Sequence, residues 1–257
     1  MPISPHHPRY RSQVVRARLA ELARRGLVVP EGLIAHGRGE AFDYLLGERT
    51  TPSARRATRR AAQWLRAARR PVVSVNGNVA ALAADEVAGL QRALPSLGVE
   101  VNLFHRDPRR AALVAGALRA AGVHDVLGVR PTATIPGLPS DRAQVDRRGI
   151  YVADVCLVPL EDGDRTEALR ALDKRVISID LNPLSRTSRH ADLPIVDELV
   201  RTLRNMTRDL RAARSAPAQG RFQPFDAPAA LRDAQRTIDR NLRSVGAVRR
   251  PPARPRR

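Results

Sequence analysis

Polar and charged side chains stand directly after three short apolar runs of this sequence. These segments are Asn76–Asn78 after Val72–Val75, Glu161–Glu167 after Tyr151–Leu160, and Asp180–Arg189 after Val176–Ile179. Short apolar runs are typical of strands buried in a parallel sheet, and ligands bind at the edge formed by the carboxyl ends of such strands. Amides, carboxylates and arginines at that edge suit phosphate groups and Mg²⁺. The pattern therefore predicts a site for a nucleotide or a phosphate ester.

The segment around Asn76 admits a structural role beside the chemical one. Asn76 and Asn78 lie where a strand meets a helix N-terminus, which is a natural anion site. However, Asn-Gly is also a common turn, and Asn78 can cap the following helix. Both interpretations stay open from the sequence.

The segment after Leu160 crowds three carboxylates together, which is costly unless they are paired or bind a metal. We expect Asp162 to hold Mg²⁺ on a nucleotide, and Asp164 to cap the following helix. Arg165 either pairs with these acids or binds a substrate phosphate.

The segment after Ile179 begins with a carboxylate. Asp180 is placed like the acidic residue that binds a ribose in nucleotide-binding folds. Arg186 and Thr187 offer phosphate donors, although a helix-capping loop with surface arginines would look the same.

Two further segments are predicted to be loops. Ala35–Asp43 is rich in glycine, so its backbone can approach an anion while Arg38 binds a phosphate. The stretch Gly128–Gly149 is long and polar, which is typical of a binding loop, and it contains the lesser candidates Arg130, Thr132 and Arg142.

These segments need a sheet to position them. Apolar runs alternate with helical patterns, which predicts an α/β, Rossmann-like fold with a mostly parallel sheet, helices on both faces and added N-terminal helices. The other predicted strands are Val99–Phe104, Val126–Val129 and Leu193–Val196. We predict a domain over 1–214 (N-terminal helical segment 1–70, core 71–214), a linker and helix over 215–243, and a disordered basic tail over 244–257.

Composition limits the classes of protein. The 257 residues are 43% hydrophobic but only 3% aromatic, so the core must be built from Ala, Leu and Val. Cys156 is the single cysteine and cannot form an internal disulfide; we expect it to be buried. His36 and His105 lack partners at metal-ligand spacing, so no metal centre of protein side chains alone is expected. No apolar run approaches a membrane span, and we expect a cytoplasmic protein.

The net charge of +19 raises a nucleic-acid-binding alternative. Almost all the cations are arginines spread along helical patterns, and few aromatic residues are present to stack on bases. We therefore favour solvated helix faces together with anionic small-molecule substrates. A nucleotide-dependent kinase or oxidoreductase on a similar sheet is the other alternative.

Taken together and in this order, the segments resemble the archaeal 4-phosphopantoate–β-alanine ligases, or phosphopantothenate synthetases. The segments that carry the resemblance are Gly32–Leu45, Val73–Ala81, Val158–Leu169 and Ile179–Arg186, with His7–Tyr10 and Pro136–Leu138. The likeness extends from about His7 to Leu210, and the chain after Ala213 has no matching motif.

The resemblance implies a homodimeric enzyme of coenzyme A biosynthesis. ATP would activate the carboxylate of 4-phosphopantoate as an acyl-adenylate with loss of diphosphate, and β-alanine would displace AMP to give 4′-phosphopantothenate. The implied ATP contacts are Arg16, Arg38, Asp180, Leu181, Asn182, Arg186, Thr187, Glu198 and Leu199. With these we predict catalytic roles for Asn76, Asn78, Asp162 and Arg165, and substrate-binding roles for Arg130, Thr132 and Arg142, with ATP and Mg²⁺ as the cofactors.

Overall fold

A six-stranded parallel sheet forms the centre of the molecule. The structure is a computed structural model that describes residues 3–7, 9–214 and 222–245. The sheet has the order β3-β2-β1-β6-β7-β8. Its strands are β1 (Pro71–Val75), β2 (Gly98–Val101), β3 (Val126–Leu127), β6 (Val155–Pro159), β7 (Arg175–Ile179) and β8 (Leu193–Ile195). The predicted Rossmann-like α/β class is confirmed.

Nine α-helices occur in the described residues. They are α1 (Tyr10–Arg24), α2 (Pro30–Leu46), α3 (Pro52–Ala67), α4 (Gly77–Ala93), α5 (Pro108–Ala120), α6 (Gly163–Ala171), α7 (Arg186–His190), α8 (Leu199–Ala212) and α9 (Ala227–Val245). Side chains from α3, α4, α5 and α8 pack on one face of the sheet, and α6 packs on the other. Helices thus cover both faces, which explains why the central strands are apolar throughout.

The strand order reverses between β1 and β6. From β1 the chain moves through α4 to β2 on one side, whereas from β6 it moves through α6 to β7 on the other. In open α/β sheets this reversal leaves a crevice at the carboxyl ends of the strands, where ligands bind. The loops after β1 and β6 therefore flank the expected position of a site.

The glycine-rich segment Ala35–Asp43 is helical, so the predicted loop is wrong. It lies inside α2, which begins with Pro30 at its first turn and ends at Gly47, whose φ is 89°. Proline favours the first turn and a left-handed glycine commonly ends a helix, which explains these bounds. Three interior glycines (Gly32, Gly37 and Gly39) cost this helix about 1 kcal/mol each relative to alanine. A cost of this size needs a compensating packing or functional reason.

The stretch after β3 is also more ordered than predicted. β4 (Ala133–Thr134) and β5 (Gln144–Val145) form an antiparallel hairpin, and a 3₁₀ turn at Asp141–Ala143 precedes β5. We call residues 133–150 the hairpin lobe. Glu100 in β2 accepts backbone N–H groups of Asp146 and Ile150, and Asn102 donates to the carbonyl oxygens of Arg142 and Gln144. These buried contacts fix the hairpin lobe against the sheet.

Other outcomes concern element boundaries. The strand predicted from Tyr151 begins only at Val155, and the turn after Ser185 contains the unpredicted α7. Cys156 is buried as predicted, and burial raises the pKa of its thiol to about 12. The predicted linker between 215 and 221, the predicted tail from 246, and Pro8 lie outside the described residues. None of the helices in the described ranges is long and apolar enough to cross a membrane.

Candidate functional site

A cavity of about 630 Å³ lies at the carboxyl edge of the sheet, at the position where the strand order reverses. Five strands send a following residue to its wall: Asn76 after β1, Phe104 after β2, Asp162 after β6, Leu181 after β7 and Glu198 after β8. Helices α1 and α2 close the opposite side. Parallel strands ending at one edge thus bring residues far apart in sequence into one concave site.

Half of the sequence-predicted site residues line this cavity. They are Arg38, Asn76, Asn78, Arg142, Asp162, Leu181, Glu198 and Leu199. The other half, which do not line it, are Arg16, Arg130, Thr132, Arg165, Asp180, Asn182, Arg186 and Thr187. The common cavity required by the sequence argument is therefore present, with fewer direct contributors than expected.

The inner wall of α2 presents a face of glycines and polar residues. Gly32, His36, Gly39 and Asp43 repeat at helical spacing and line the cavity, with Arg38 at the edge of the same face. Arg38 is exposed and makes no hydrogen bond or salt bridge with any residue that the structure describes, although its charge acts to lower the pKa of Asp180. An exposed guanidinium without a hydrogen-bond partner in a concave site is well suited to bind phosphate or carboxylate.

Asn76 connects the ends of two strands. Its side-chain oxygen accepts the Val79 N–H at 3.0 Å and so caps α4, while its Nδ2 donates to the Leu160 carbonyl oxygen at 2.9 Å. Leu160 has a left-handed φ of 51°, a strained conformation for a leucine, which turns the chain after β6 towards the cavity. Asn76, rather than Asn78, is therefore the helix cap.

Asn78 joins α4 to α2. Its Nδ2 donates to the carbonyl oxygen of Gly32 at 2.7 Å. Both asparagines thus hold the cavity wall together, in addition to lining it.

An ion-pair network holds the loop after β6, and in it Glu161, Arg142 and Arg165 are buried while Asp162 is half-exposed. Arg142 contacts Glu161 (Nη1–Oε1, 2.7 Å) and Asp162 (Nε–Oδ2, 2.9 Å), and the other oxygen of Glu161 pairs with Arg165. Burial raises the pKa of Asp162, an effect that the charge of Arg142 opposes. The network anchors Asp162 at the wall and places a neutralised cluster under the cavity floor.

Arg165 does not reach the cavity. It is fully buried, donates to the hydroxyl of Ser74 at 2.8 Å and pairs with Glu161. In this structure it supports the cavity from behind, and a role for it in catalysis or in binding a substrate phosphate stays a prediction. The pairing alternative is the one found.

The cap prediction for Asp164 is wrong. Asp162 occupies the N-cap position of α6 without a side-chain capping bond, and Asp164 instead contacts Arg186 at 2.5 Å. Arg186 additionally pairs with Glu167, so this predicted ATP contact is engaged outside the cavity. Asp164 and Glu167 lie about one turn apart on α6, and both contact Arg186 at the start of α7.

The loop after β7 closes on itself. Asp180 accepts the Asn182 N–H at 2.9 Å and the Ser185 hydroxyl at 2.5 Å, and burial raises the pKa of its carboxyl group. Thr187 donates to the carbonyl oxygen of Glu161 at 2.7 Å. Of this loop, Leu181 lines the cavity.

The remaining predicted residues lie farther from the cavity wall. Arg16 pairs with Glu40, which does line the cavity (Nη2–Oε2, 2.5 Å). Arg130 and Thr132 precede β4, and the Thr132 hydroxyl accepts the Arg147 N–H within the lobe. Glu198 lines the cavity while capping α8 through the Val200 and Arg201 N–H groups.

Several cavity residues had no assigned role in the sequence analysis. They are Arg11, Ser12, Glu31, His36, Glu40, Asp43, Phe104, His105, Arg110 and Arg201. Arg201 binds Asp43 with two nitrogens (3.0 and 2.6 Å), and these bonds help to raise its pKa against the opposing effect of burial. The sequence did contain a helical pattern that could have predicted the inner face of α2, namely the spacing of Gly32, His36, Gly39 and Asp43. The glycines in this segment instead favoured the prediction of a loop.

The described residues contain no group of three or more His, Cys, Asp or Glu side chains arranged to hold a metal ion. Asp162 leaves its Oδ1 free of hydrogen bonds to described residues, at the cavity wall. One carboxylate oxygen beside substrate phosphates is a common way in which proteins hold Mg²⁺. The donor set therefore fits Mg²⁺ only in company with a phosphorylated ligand.

The fold and the cavity define a Rossmann-like α/β protein with an arginine- and carboxylate-lined ligand site at the topological switch point. The particular family follows from comparison with known proteins. The chain belongs to the phosphopantothenate/pantothenate synthetase family, whose model matches residues 53–241. This confirms the resemblance found in the sequence, but the likeness does not end near Leu210 as expected, because the match continues past Ala213 to residue 241.

Archaeal relatives are similar along most of the chain. The 4-phosphopantoate–β-alanine ligase of Methanospirillum hungatei is 49% identical over 243 residues, covering 95% of this chain and 99% of the relative. The ligase of that name from Methanosarcina mazei is 47% identical over 247 residues (95% and 97%), and that from Thermococcus onnurineus is 53% identical over 206 residues (80% and 78%). The first two alignments each cover 95% of this chain.

Proposed function

We propose that this protein is a 4-phosphopantoate–β-alanine ligase that uses ATP and forms an acyl-adenylate. The single observation that carries the proposal is the near full-length identity of 49% to a relative of that name, in a chain whose predicted motifs meet at one cavity. Family membership supports this reaction in particular, and we propose that it takes place in the cavity.

The proposed first step joins two anions. A carboxylate oxygen of 4-phosphopantoate attacks the α-phosphorus of ATP, and the bond from that phosphorus to the bridging oxygen breaks, so that diphosphate leaves. The repulsion between the reactants must be offset by cations and N–H donors. Of the three arginines among the predicted ATP contacts, Arg16 and Arg186 form salt bridges, whereas Arg38 lines the cavity without one in the described residues, so we assign Arg38 to the phosphates.

The proposed second step forms the amide. The β-alanine nitrogen attacks the acyl carbon, the bond from that carbon to the AMP oxygen breaks, and the nitrogen, an ammonium group in free β-alanine, loses two protons in all, one before or during the attack and one after it. This chemistry needs no protein nucleophile, and alignment of the reactants supplies much of the acceleration. We assign Asn76 and Asn78 to the pantoate side, and Asp162 to Mg²⁺ or to the β-alanine ammonium group.

The predicted ATP contacts that lie outside the cavity can reach a bound nucleotide only if their side chains move. Arg16 and Arg186 are paired with Glu40 and with Asp164 and Glu167, respectively, so a nucleotide has to displace these acids. Asp180 and Asn182 flank Leu181 and are assigned to the adenosine. When bound, Mg²⁺ would neutralise phosphate charge in the first step, with Asp162 as its protein ligand.

The proposed homodimer is supported by an apolar stripe on α2. Leu33, Ile34 and Tyr44 are exposed, and Ile34 retains 70% of its surface. Gly37 and Ala41 lie exposed between them at helical spacing. Exposed apolar side chains around small residues favour close packing with another helix, here α2 of a second copy.

Product analysis tests the function. We expect purified protein with ATP, Mg²⁺, 4-phosphopantoate and β-alanine to form AMP, diphosphate and 4′-phosphopantothenate, detected by mass spectrometry. ADP would indicate a kinase, and a change in nicotinamide absorbance an oxidoreductase. Salt-sensitive nucleic-acid binding without ATP turnover would support the basic binding protein instead.

A further inference from the structure

His36 is an imidazole of the cavity wall without a partner. It lies on the inner face of α2, is partly buried, and makes no hydrogen bond with any residue in the described ranges. In the sequence, His36 has no partner at metal-ligand spacing, so the spacing gave it no role as a metal ligand. Its position between α1 and the start of α8 instead places a titratable group beside the site of the proposed chemistry.

The acidic neighbours of His36 are already engaged. Glu40 accepts hydrogen bonds from Ser12 and Arg16, and Glu198 accepts two backbone N–H groups at the start of α8. Asp43 is held by both terminal nitrogens of Arg201. Because these carboxylates already accept hydrogen bonds, their charged forms are stabilised, and they are weak bases for a substrate proton.

The proposed second step requires a base. An alkyl ammonium group such as that of β-alanine has a pKa near that of lysine, about 10.4, so it is protonated at neutral pH. A protonated nitrogen has no lone pair with which to attack the acyl carbon. A group at the site must accept a proton before or during the attack.

We propose that His36 accepts the proton of the β-alanine ammonium group in the amide-forming step. The nitrogen–hydrogen bond breaks, its electron pair stays on nitrogen to form the new carbon–nitrogen bond, and the proton binds a free ring nitrogen of His36. AMP carries away the electron pair of the broken carbon–oxygen bond. The second proton that the nitrogen must lose to become an amide passes to solvent water or to the phosphate of the departing AMP. This inference rests on the proposed function and adds a catalytic residue to it.

The charge environment suits the role. Burial is the largest effect on the pKa of His36 and lowers it below the ordinary value, and the positive charge of Arg16 on α1 lowers it further. The negative charges of Glu40, on the same helix, and of Glu198, at the start of α8, oppose this and raise the pKa. The imidazole is thus neutral at pH 7 and able to accept a proton. Arg11 on α1 faces Glu198 at 3.7 Å, which reduces the effect of that carboxylate on the ring.

Asp162 is the competing candidate for the same proton. Its carboxylate already accepts a hydrogen bond from the guanidinium of Arg142 at 2.9 Å, whereas the ring of His36 makes none with the described residues. Asp162 therefore suits electrostatic binding of the ammonium group or of Mg²⁺, and His36 suits proton removal.

The test separates the two steps in the His36→Gln variant. We expect the kcat/KM for β-alanine to fall at least about 100-fold, the lower range for loss of a general base. Hydroxylamine is largely unprotonated at neutral pH and captures an acyl-adenylate without a base. Formation of the hydroxamate of 4-phosphopantoate should therefore stay within about threefold of the wild-type rate.

The pH profile adds an independent readout. In the wild type, kcat/KM for β-alanine should rise with pH through an inflection below the ordinary histidine value of 6.5, and His36→Gln should lack that inflection. The control is His124→Gln, which removes an exposed imidazole outside the cavity and should retain the wild-type profile.

Each remaining outcome overturns the inference. Ligation within threefold of wild type in His36→Gln shows that His36 is not the base. Equal loss of ligation and hydroxamate formation assigns it to the first step or to structure. If the wild-type protein forms neither AMP nor hydroxamate, the proposed function itself fails, which is a distinguishable result.

Discussion

The side-chain amide of Asn78 donates to the backbone carbonyl of Gly32 at 2.7 Å, so the first turn of α4 is fastened directly to α2. A Cβ atom at Gly32 would collide with the Asn78 side chain. Two opposite walls of the cavity therefore depend on one hydrogen bond and on the absence of one methyl group.

Gly32→Ala should lower both stability and activity. Alanine normally stabilises a helix interior by about 1 kcal/mol over glycine. Here we expect a net loss of about 1–3 kcal/mol, because the added carbon displaces Asn78. Urea unfolding and kcat/KM measure the two effects.

Gly116→Ala is the matched control for that prediction. Gly116 lies in α5, and nothing lies within 4 Å of the position of its added Cβ. The free energy of unfolding of Gly116→Ala should be about 0.5–1 kcal/mol higher than that of the wild type. A similar gain in Gly32→Ala would show that the Asn78 contact does not constrain this position.

Arg38→Ala should abolish most ligase activity while the protein stays folded. Loss of a charge-assisted hydrogen bond to a phosphate costs about 1.5–3 kcal/mol, or roughly 10- to 200-fold in kcat/KM. Arg59→Ala removes an exposed arginine of α3 outside the cavity and should change neither activity nor stability measurably. Equal activity in the two variants would remove Arg38 from the site.

Arg165→Met should behave as a structural change. Removal of a fully buried cation that pairs with Glu161 should lower the free energy of unfolding by about 3–5 kcal/mol. Because Arg165 does not line the cavity, the KM values of the folded fraction should stay within about threefold. If Arg165→Met has wild-type stability but a much higher KM, Arg165 contacts a substrate directly.

Glu100 should make stability depend on pH. Burial raises the pKa of this carboxyl group from 4.5 to about 7, against two backbone N–H bonds. Between those values the folded protein holds a proton that the unfolded chain has lost, so stability falls as pH rises.

The free energy of unfolding should fall by about 3 kcal/mol between pH 4.5 and 7 because of Glu100. Urea unfolding of the wild type and of Glu100→Gln at several pH values measures this contribution as the difference between the two proteins. The variant cannot titrate at this position, so subtraction removes the effect of other groups. A difference that does not change with pH would mean that Glu100 keeps an ordinary pKa.

Ile34→Glu should disrupt the proposed dimer. A charge in the exposed stripe of α2 would have to be buried against the second copy, which is costly. Light scattering after size exclusion should show a dimer for the wild type and a monomer for the variant. The control is Leu172→Glu, a substitution of an exposed leucine after α6, which should leave the mass unchanged.

The sheet and the site edge were predictable from the sequence because buried parallel strands are continuous apolar runs. Val72–Val75 and Val176–Ile179 were located to within about a residue. The polar residues after them, such as Asn76 and Asp162, reach the cavity because parallel strands end at the same edge.

Side-chain direction was not predictable in the same way. Arg165 and Arg142 are both arginines near Glu161, yet only Arg142 lines the cavity, because α6 turns Arg165 beneath the floor. α2 was missed because glycine weakens every helical signal, although Pro30 and Gly47 marked its ends. The role of a glycine in a helix depends on its neighbour, here Asn78, which the sequence places 46 residues away.

The proposed positions of the substrates can be checked in a crystal structure with ATP, Mg²⁺ and 4-phosphopantoate, which should show both substrates in the cavity between α2 and the strand ends. We expect the triphosphate against Arg38 and the pantoate carboxylate facing the α-phosphorus on the side of Asn76. Nucleotide bound on another surface, with this cavity empty or filled by 4-phosphopantoate alone, would show that the cavity is not the ATP site.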